Sequence, residues 1–438
     1  MLPQTLNTNQ RCYGTVVCQP GSSVSPESFA QLSKRGWQVG GTFEQSGDVI
    51  SVKSGSRNIS AAVKLTEPTP HFLTGLHAPG LTGEDIRRLE GATSAVAVAL
   101  DGQSNNVLRD RKTLLEILRD VAASVSGVAI DDACHRAWTM DELDEELAHD
   151  AELDIEQLYV VHGVYDDNAP RRNADGRVGV DWAHTHGLAE LGAFDFDILR
   201  MHPDCQSGEA FRAIATMILY GEIAPDSKGV TFAHPGRPVD FVPAVDFHAG
   251  AKPADAAFRH LDEFHTENRS VVCEPVRKRL FGKPRPTPSK YFESATPDNS
   301  VVRYSKDATG LAAKRAQDSL PSLRPWVELS EELGLGCLVK LGYETDSDPS
   351  AREYLWFIAE KVTGSHIVAT LINRPYDVGH LAEGQRGEHD LERLADWTVI
   401  TPFGHGSPRS PGPLILCKRH IDELRSAASE AAADQPHN

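Results

Sequence analysis

The stretch Arg177–Met201, RVGVDWAHTHGLAELGAFDFDILRM, decides the fold of the middle of the chain and holds its densest group of reactive side chains. Up to Trp182, apolar residues alternate with small or polar ones, which is the two-residue period of a β-strand. Because side chains alternate across a strand, His184 and His186 should lie on the same face as Trp182. We therefore predict a strand that ends near Gly187 with two histidines on one face.

This histidine pair predicts a metal site. Two imidazoles two residues apart on a strand can bind one ion, and imidazole suits zinc, iron, copper or nickel. Asp181 precedes the pair, while Asp195 and Asp197 follow a glycine turn that would return them across a hairpin. The candidate ligands of a divalent transition metal are therefore His184, His186 and Asp181. In the structural alternative, the histidines hydrogen-bond to backbone and the two later aspartates form the wet face of an edge strand.

Length, composition and charge restrict the class of protein. A chain of 438 residues exceeds one ordinary core, so two or three domains are expected. The net charge of −18 argues against nucleic acid or an anionic membrane as a partner. No apolar run reaches about 18 residues, so no membrane span is predicted, and the first residues do not form a secretory signal. Seven scattered cysteines without a C-x-x-C pair predict free thiols in a reducing cytoplasm.

Residues 10–275 show alternating strand and helix patterns. Ala95–Leu100 is apolar throughout, as in a buried central strand. Arg111–Ser124 repeats apolar residues at helical spacing, and Thr82 is the predicted N-cap of a shorter helix. These patterns predict an α+β region of the ferredoxin-like type, with helices on one face of the sheet. The region would be one unit or two lobes that divide near residues 141–157.

Two charged segments and a small domain complete the expected organisation. Residues 141–156 carry nine acidic side chains, which indicates a solvated helix face or, as the alternative, a docking surface for a basic partner. Residues 276–300 are rich in proline and basic residues and predict an exposed, semi-rigid linker. Residues 301–425 should form a small, bent antiparallel β-sheet or partial barrel behind one helix.

The last domain resembles a known family. Its shared features are an aromatic strand at Trp356, a turn with Asn373 and Pro375, a glycine step at Gly384 and a terminal Asp396-Trp397. With these features in order, residues 308–400 resemble the bacterial YegJ-like family, a domain of unknown function (number 2314). The chain departs from the family at Arg386–Leu391, where a plainer strand is typical. Upstream, Trp182 to Gly187 resembles a W-x-HTHG motif that accompanies this domain. The resemblance implies a bacterial cytoplasmic protein and no particular activity.

Two functional hypotheses follow. The chain has no G-x-x-x-x-G-K-[ST], G-x-G-x-x-G, G-x-S-x-G or H-E-x-x-H motif in the required context. This favours a non-enzymatic, cytoplasmic, protein-binding module of an immunity- or stress-associated kind, without a cofactor. The alternative is a metal-dependent hydrolase that uses His184 and His186 with a nearby aspartate. Structural roles are the simplest for the family positions, with Trp356 and Trp397 as core aromatics.

Overall fold

The chain forms two compact units, each an α+β mixture of helices and mostly antiparallel sheets. Unit one comprises residues 1–77, 91–137 and 153–305, and unit two comprises residues 78–90, 138–152 and 306–438. The structure is a computed structural model that describes residues 12–21, 29–34, 36–40, 49–54, 60–68, 76–101, 107–148, 153, 157–165, 170–205, 207–234, 237–253, 268–275, 285–294, 301–302 and 306–433. The predicted α+β class is confirmed. Within these ranges, no helix has the length and apolar character that a membrane crossing requires.

The first sheet of unit one has seven strands in the order β2-β3-β4-β5-β1-β6-β7. They are β1 (Cys12–Val17), β2 (Trp37–Gly40), β3 (Val49–Ser54), β4 (Ser60–Thr66), β5 (Ala95–Asp101), β6 (Val128–Asp131) and β7 (Arg136–Trp138). Helices α1 (Ala30–Lys34) and α3 (Val107–Val125) lie between them in the chain. Gly14 of β1 lets α3 approach, because a Cβ at this position would lie 2.5 Å from Leu118 Cδ1. The seven-stranded order does not establish the predicted ferredoxin-like arrangement.

The second sheet of unit one contains the histidine stretch and has the order β12-β13-β10-β9-β8. Its strands are β8 (Val160–Val164), β9 (Trp182–His186), β10 (Asp195–Leu199), β12 (Asp240–Pro243) and β13 (Arg269–Cys273). Strands β8, β9 and β10 are antiparallel, whereas β10 and β13 are parallel. Helices α5 (Ser207–Leu219) and α6 (Ala244–Gly250) belong to this part of the chain, and β11 (Ala233–His234) pairs with β14 (Val301–Val302). The predicted strand end at Gly187 is confirmed. The strand begins only at Trp182, so the alternating residues that predicted it precede β9, and Val178 forms only an isolated bridge with Arg172.

Part of the predicted linker packs within unit one. Residues 276–284 and 295–300 lie outside the described part of the chain. In the described part, Ser289 N donates to Val272 O at 3.1 Å and Pro288 forms a β-bridge with Cys273. Phe292 is fully buried. Residues 285–294 are therefore not an exposed linker, because their backbone pairs with the neighbourhood of β13 and their aromatic side chain enters the core.

Unit two is built on a six-stranded antiparallel sheet with the order β18-β17-β16-β15-β19-β20. The strands are β15 (Gly336–Glu344), β16 (Arg352–Val362), β17 (His366–Leu371), β18 (Arg386–Asp390), β19 (Leu394–Thr401) and β20 (Gly404–Gly406). A 3-10 turn at Leu391–Arg393 precedes β19. Helices α7 (Lys306–Asp318), α8 (Leu320–Leu333) and α9 (Gly412–Ala433) flank the sheet in sequence. The polar segment that departs from the family pattern forms β18 and pairs with β17.

Two earlier segments group with unit two, so the chain does not divide at a single point as expected. They carry helices α2 (Gly83–Glu90) and α4 (Met140–Ala148). Glu146 of α4 forms a buried ion pair with Arg315 of α7. The predicted cap of α2 is confirmed, since Thr82 Oγ1 accepts from Asp85 N at 3.1 Å. Residues 141–157 were expected to divide two lobes of the first region, but residues 138–152 belong to unit two. Composition could not predict this, because it does not show which distant residues pair.

Candidate metal centre

Three histidines from separate segments of unit one converge beside the second sheet. His135 lies in the turn between β6 and β7, His162 lies on β8, and His186 ends β9. Each offers one ring nitrogen, and the three nitrogens lie within 4.8 Å of one another. His186 is buried, while His135 and His162 are partly exposed. The cluster therefore combines three potential metal ligands with some access to solvent.

Strand register explains why β8 and β9 contribute to the same cluster. His162 lies opposite His184, and Val160 lies opposite His186. Directly opposed residues share a face of an antiparallel sheet, and residues two apart share it as well. The three histidines of these strands therefore occupy one face.

His135 reaches the cluster from a strained turn. Its φ of 53° lies in the left-handed region, which non-glycine residues seldom adopt and which occurs often at functional sites. Two backbone hydrogen bonds hold this turn: His77 N donates to His135 O, and Ala137 N donates to His77 O, both at 2.9 Å. The turn is thus held through the carbonyl of His135 itself and the amide of Ala137, both bonded to His77.

Gly187 allows the three segments to meet. Its φ is 113°, and a Cβ here would lie 2.3 Å from Leu158 O and 2.9 Å from Cys134 Cβ. Leu158 precedes β8, and Cys134 precedes His135 in its turn. Only glycine allows the end of β9 to approach both neighbours this closely.

The ring geometry fits a shared metal ion. The ring centroid of His186 lies 4.7 Å from that of His135 and 4.9 Å from that of His162. The centroids of His135 and His162 are 5.7 Å apart. Three imidazoles bound to one tetrahedral zinc, with Zn–N of about 2.0–2.1 Å, would have nitrogens about 3.3 Å apart and centroids about 5 Å apart. The ring spacing of 4.7–5.7 Å is close to this value, whereas the ring nitrogens, which lie within 4.8 Å of one another, are farther apart than in a bound site, and the rings of His135 and His186 stack at 23°.

The residues predicted from the sequence divide between the cluster and its surroundings. His186 belongs to the group of three. His184 lies next to it, with ring centroids 4.8 Å apart, and stacks on Trp182 at 4.0 Å. Asp181 lies elsewhere: it precedes β9, and its Oδ1 accepts from Arg171 Nε at 2.9 Å. The structure does not bring Asp181 to the three nitrogens.

The two later aspartates return across β9 as the hairpin hypothesis requires. Asp197 lies opposite His184 and forms an ion pair with Arg269 at 3.2 Å. Asp195 Oδ1 accepts from Thr185 Oγ1 at 2.8 Å and from Leu188 N at 3.3 Å. Both carboxylates are buried, and β10 has a neighbour on each side. The alternative of a wet edge strand is therefore wrong, and these carboxylates hold the strands in place.

Burial and neighbouring charges perturb two groups around the cluster. Burial, and after it the charge of Glu190, raises the pKa of Asp195 to about 7, although the bonds from Thr185 and Leu188 and the charge of Arg269 lower it. Desolvation, Arg136 and His162 lower the pKa of His77 to about 4, although this side chain still reaches solvent. His77 is thus neutral at pH 7.

Sequence reasoning missed His135 and His162. Each is a single histidine in an otherwise apolar or turn-forming segment, and neither has a partner at a ligand-like spacing. The alternation around Val160 and Val164 was a usable signal, because it places His162 on one face of a strand. The direction in which that face points, and the strand that lies beside it, depend on tertiary pairing.

The family positions in unit two have structural contacts. Trp397 is buried, as predicted, and its Nε1 donates to Ser319 Oγ at 3.0 Å. Trp356 is not a core residue, because Leu355 and Phe357 take the buried face of β16. Lys340 Nζ lies over the Trp356 ring at 5.3 Å, and Trp356 N donates to Asn373 Oδ1 at 2.8 Å. Asp396 forms an ion pair with Arg409 at 3.1 Å. Gly384 has a φ of 79°, and Pro375 lies in the same loop.

Comparisons with known proteins add no identification. No protein-family model, no curated protein and no solved structure matches this chain. The functional argument therefore rests on the residues and their geometry.

Proposed function

We propose that unit one binds a divalent transition metal, with zinc as the first candidate, and that the protein is a metal-dependent hydrolase. The observation that carries this proposal is the convergence of His135, His162 and His186, whose ring nitrogens lie within 4.8 Å of one another. Three protein ligands leave a fourth position for water, which is the pattern of catalytic zinc. A bound ion of this kind supplies a hydroxide nucleophile by lowering the pKa of its water to about 7.

Residues around the three ligands support this role. His184 lies beside His186, with ring centroids 4.8 Å apart, and would be the group that accepts or returns a proton if the three histidines held an ion. Stacking on Trp182 fixes the orientation of the His184 ring. Asp195 binds Thr185 and Leu188 on either side of His186 and so holds the end of β9. The proposal thus gives His184 a proton-transfer role and Asp195 a positioning role.

The proposal prefers the hydrolase over the non-enzymatic module and changes its ligand set. His135 and His162 join His186, whereas His184 lies beside the ligands and Asp181 belongs to an ion pair. Membership of the YegJ-like family, a ferredoxin-like first region, a bacterial cytoplasmic location and a protein partner stay predictions that rest on the sequence features given above.

Zinc titration of the chelator-treated full chain tests the ligand set. Competition with a chromophoric chelator should give one tight site per chain. His135→Ala, His162→Ala and His186→Ala should each weaken it by more than the roughly 10–100-fold typical of outer-shell changes. His405→Ala, at an exposed histidine of β20, is the matched control and should bind as the wild type does. Binding that is unchanged in all three variants would overturn the site.

Hydrolysis of p-nitrophenyl acetate tests the chemistry separately. Zinc-loaded protein should accelerate ester cleavage over the zinc-free protein, and His184→Ala should lower the rate while zinc remains bound. If zinc binds through the three histidines but the loaded protein gives no acceleration, the hydrolase is contradicted and only the metal site stands.

A further inference from the structure

Unit two contains a groove that the metal site does not use. Its volume is about 1140 Å³, which exceeds the roughly 300–1,000 Å³ of pockets for small molecules. The apolar lining comes from α8 and α9 and includes Trp326, Leu329, Leu414, Ile415 and Ile421. A groove of this size with an apolar lining suits a polypeptide segment better than a compact ligand.

One wall of the groove is acidic. Helix α4, with the sequence MDELDEELA, contributes Asp141, Asp144 and Glu145 and carries no basic residue. Asp141 and Asp144 are exposed and one turn apart, so they form a single negative edge. Glu145 is held against α8, where its Oε1 accepts from Ser322 Oγ at 2.6 Å. This edge presents negative charge to whatever lies on the apolar surface.

The opposite wall has no comparable excess of one charge. Helix α9 contributes Lys418 and Arg425 together with Asp422 and Glu423. Its remaining cation, Arg419, lies 3.4 Å from Asp85. An occupant would therefore meet balanced charge on α9 and negative charge on α4.

The groove opens along the exposed half of α9. From Asp422 to Ser429 every residue of the helix is exposed, and Leu424 has 58% of its surface free. Ser426 and Ala427 in this half still line the groove. The lining residues of α9 run from Leu414 to Ala427, a stretch of the helix that extends about 20 Å at 1.5 Å per residue. The wall is long enough for several turns of a partner helix.

We infer that this groove docks a basic amphipathic helix of another protein. Apolar residues of that helix lie on the partly exposed Leu329, Ile415 and Ile421. Its lysine or arginine side chains face Asp141 and Asp144. Helix-in-groove recognition uses apolar anchors at helical spacing. Complementary charge selects the orientation of the partner. This inference is independent of the histidine cluster.

Designed peptides test the inference on the full chain. The probe is a fluorescein-labelled 15-residue helix with leucine at one face and lysine at the others, and one control replaces each lysine with glutamate. A second control shuffles the order so that no apolar face forms. The lysine helix should bind and should weaken with added salt, whereas both controls should bind at least about tenfold more weakly. Equal binding of the glutamate helix would overturn the proposal.

Charge reversal in the protein locates the site. The double variant Asp141→Lys, Asp144→Lys should weaken the lysine helix at least about tenfold. The matched control, Glu383→Lys with Glu388→Lys, changes net charge equally at exposed positions outside the groove and should retain affinity. Thermal melts monitored by circular dichroism establish that both variants fold. Equal affinity of the two variants for the lysine helix would contradict the proposal. A dimer of the wild-type protein without peptide, which the double variant no longer forms, would also contradict it, because the occupant of the groove would then be a second copy of the chain.

Discussion

Side chains alternate between the two faces in both the second sheet of unit one and the sheet of unit two, but the two sheets differ in which of those side chains are buried. In β16 and β17 buried residues mostly alternate with partly or fully exposed ones, so one face forms a core and the other meets water. In β9, β10 and β13 every residue is buried, although His184, Asp197 and Arg269 are polar. Burying such groups costs free energy unless they are paired. Asp197 and Arg269 pair with one another, so polar contacts as well as apolar packing hold the second sheet of unit one together.

The amphipathic sheet gives the largest expected effect. Phe357→Ala should destabilise unit two by about 3–5 kcal/mol, because it leaves a cavity in the core. Its neighbour Ile358 lies on the other face with 45% of its surface exposed, so Ile358→Ala should stay within about 0.5 kcal/mol. Urea unfolding of both variants measures the difference. Similar losses would show that this sheet does not separate a core face from a solvent face.

Ion pairs provide the corresponding comparison for the buried sheet. Arg269 Nη2 lies 3.2 Å from Asp197 Oδ1 and donates to Thr185 O at 3.2 Å, with both charged side chains buried. Arg269→Met should cost about 3 kcal/mol, because a carboxylate stays buried without that guanidinium. Arg386→Met removes the exposed pair with Glu360 in unit two and should cost at most about 1 kcal/mol. If urea titrations gave the same loss of unfolding free energy for Arg269→Met and Arg386→Met, the pair of Arg269 with Asp197 would be in a solvated environment.

Close packing at the end of β9 provides a third test. Gly187→Ala should cost about 2–3 kcal/mol, because alanine at a φ of 113° is strained and its Cβ would collide with Leu158 O. Gly208 of α5 is the control, since it has open space and no positive φ. Gly208→Ala should be neutral or stabilising by up to about 1 kcal/mol. Equal melting temperatures for the two variants would refute the close approach of the three segments.

The fourth comparison is a pH dependence at Asp195. Burial raises its pKa to about 7, above the roughly 3.9 of an unfolded aspartate. The folded state therefore holds this proton more tightly, so the stabilisation is complete below about pH 4 and is lost as pH rises through 7. Relative to Asp195→Asn, the wild type should lose stability between about pH 4 and 7. The exposed control Asp175→Asn should follow the wild type, and parallel curves for all three proteins would contradict the assignment.

Local patterns predicted part of this fold and a smaller part of the site. The glycine after His186 located the end of β9, and the hydroxyl of Thr82 before a helical segment predicted its cap. The two-residue period before Trp182 predicted a strand too early, because β9 begins at Trp182. In β16 a two-residue period alone does not show which face of the strand is buried. Trp356 was therefore predicted to lie in the core, whereas Leu355 and Phe357 lie there. Local sequence could not show the strand register or the turn that bring His135 and His162 to the cluster.

Long-range pairing explains the rest of the difference. Arg315 and Glu146 are 169 residues apart in the chain, and their ion pair joins α4 to unit two. No composition or period of either segment contains this information, because each side chain also suits a solvated helix face. The division of the chain therefore became visible only from the contacts.

X-ray absorption at the zinc edge tests the central claim most directly. For zinc-loaded wild-type protein, the account predicts a first shell of nitrogen or oxygen at about 2.0–2.1 Å with the multiple scattering of three imidazoles. The double variant His135→Ala, His162→Ala should lose that imidazole signal. Sulfur at about 2.3 Å, or a shell that the double variant leaves unchanged, would contradict a three-histidine metal centre.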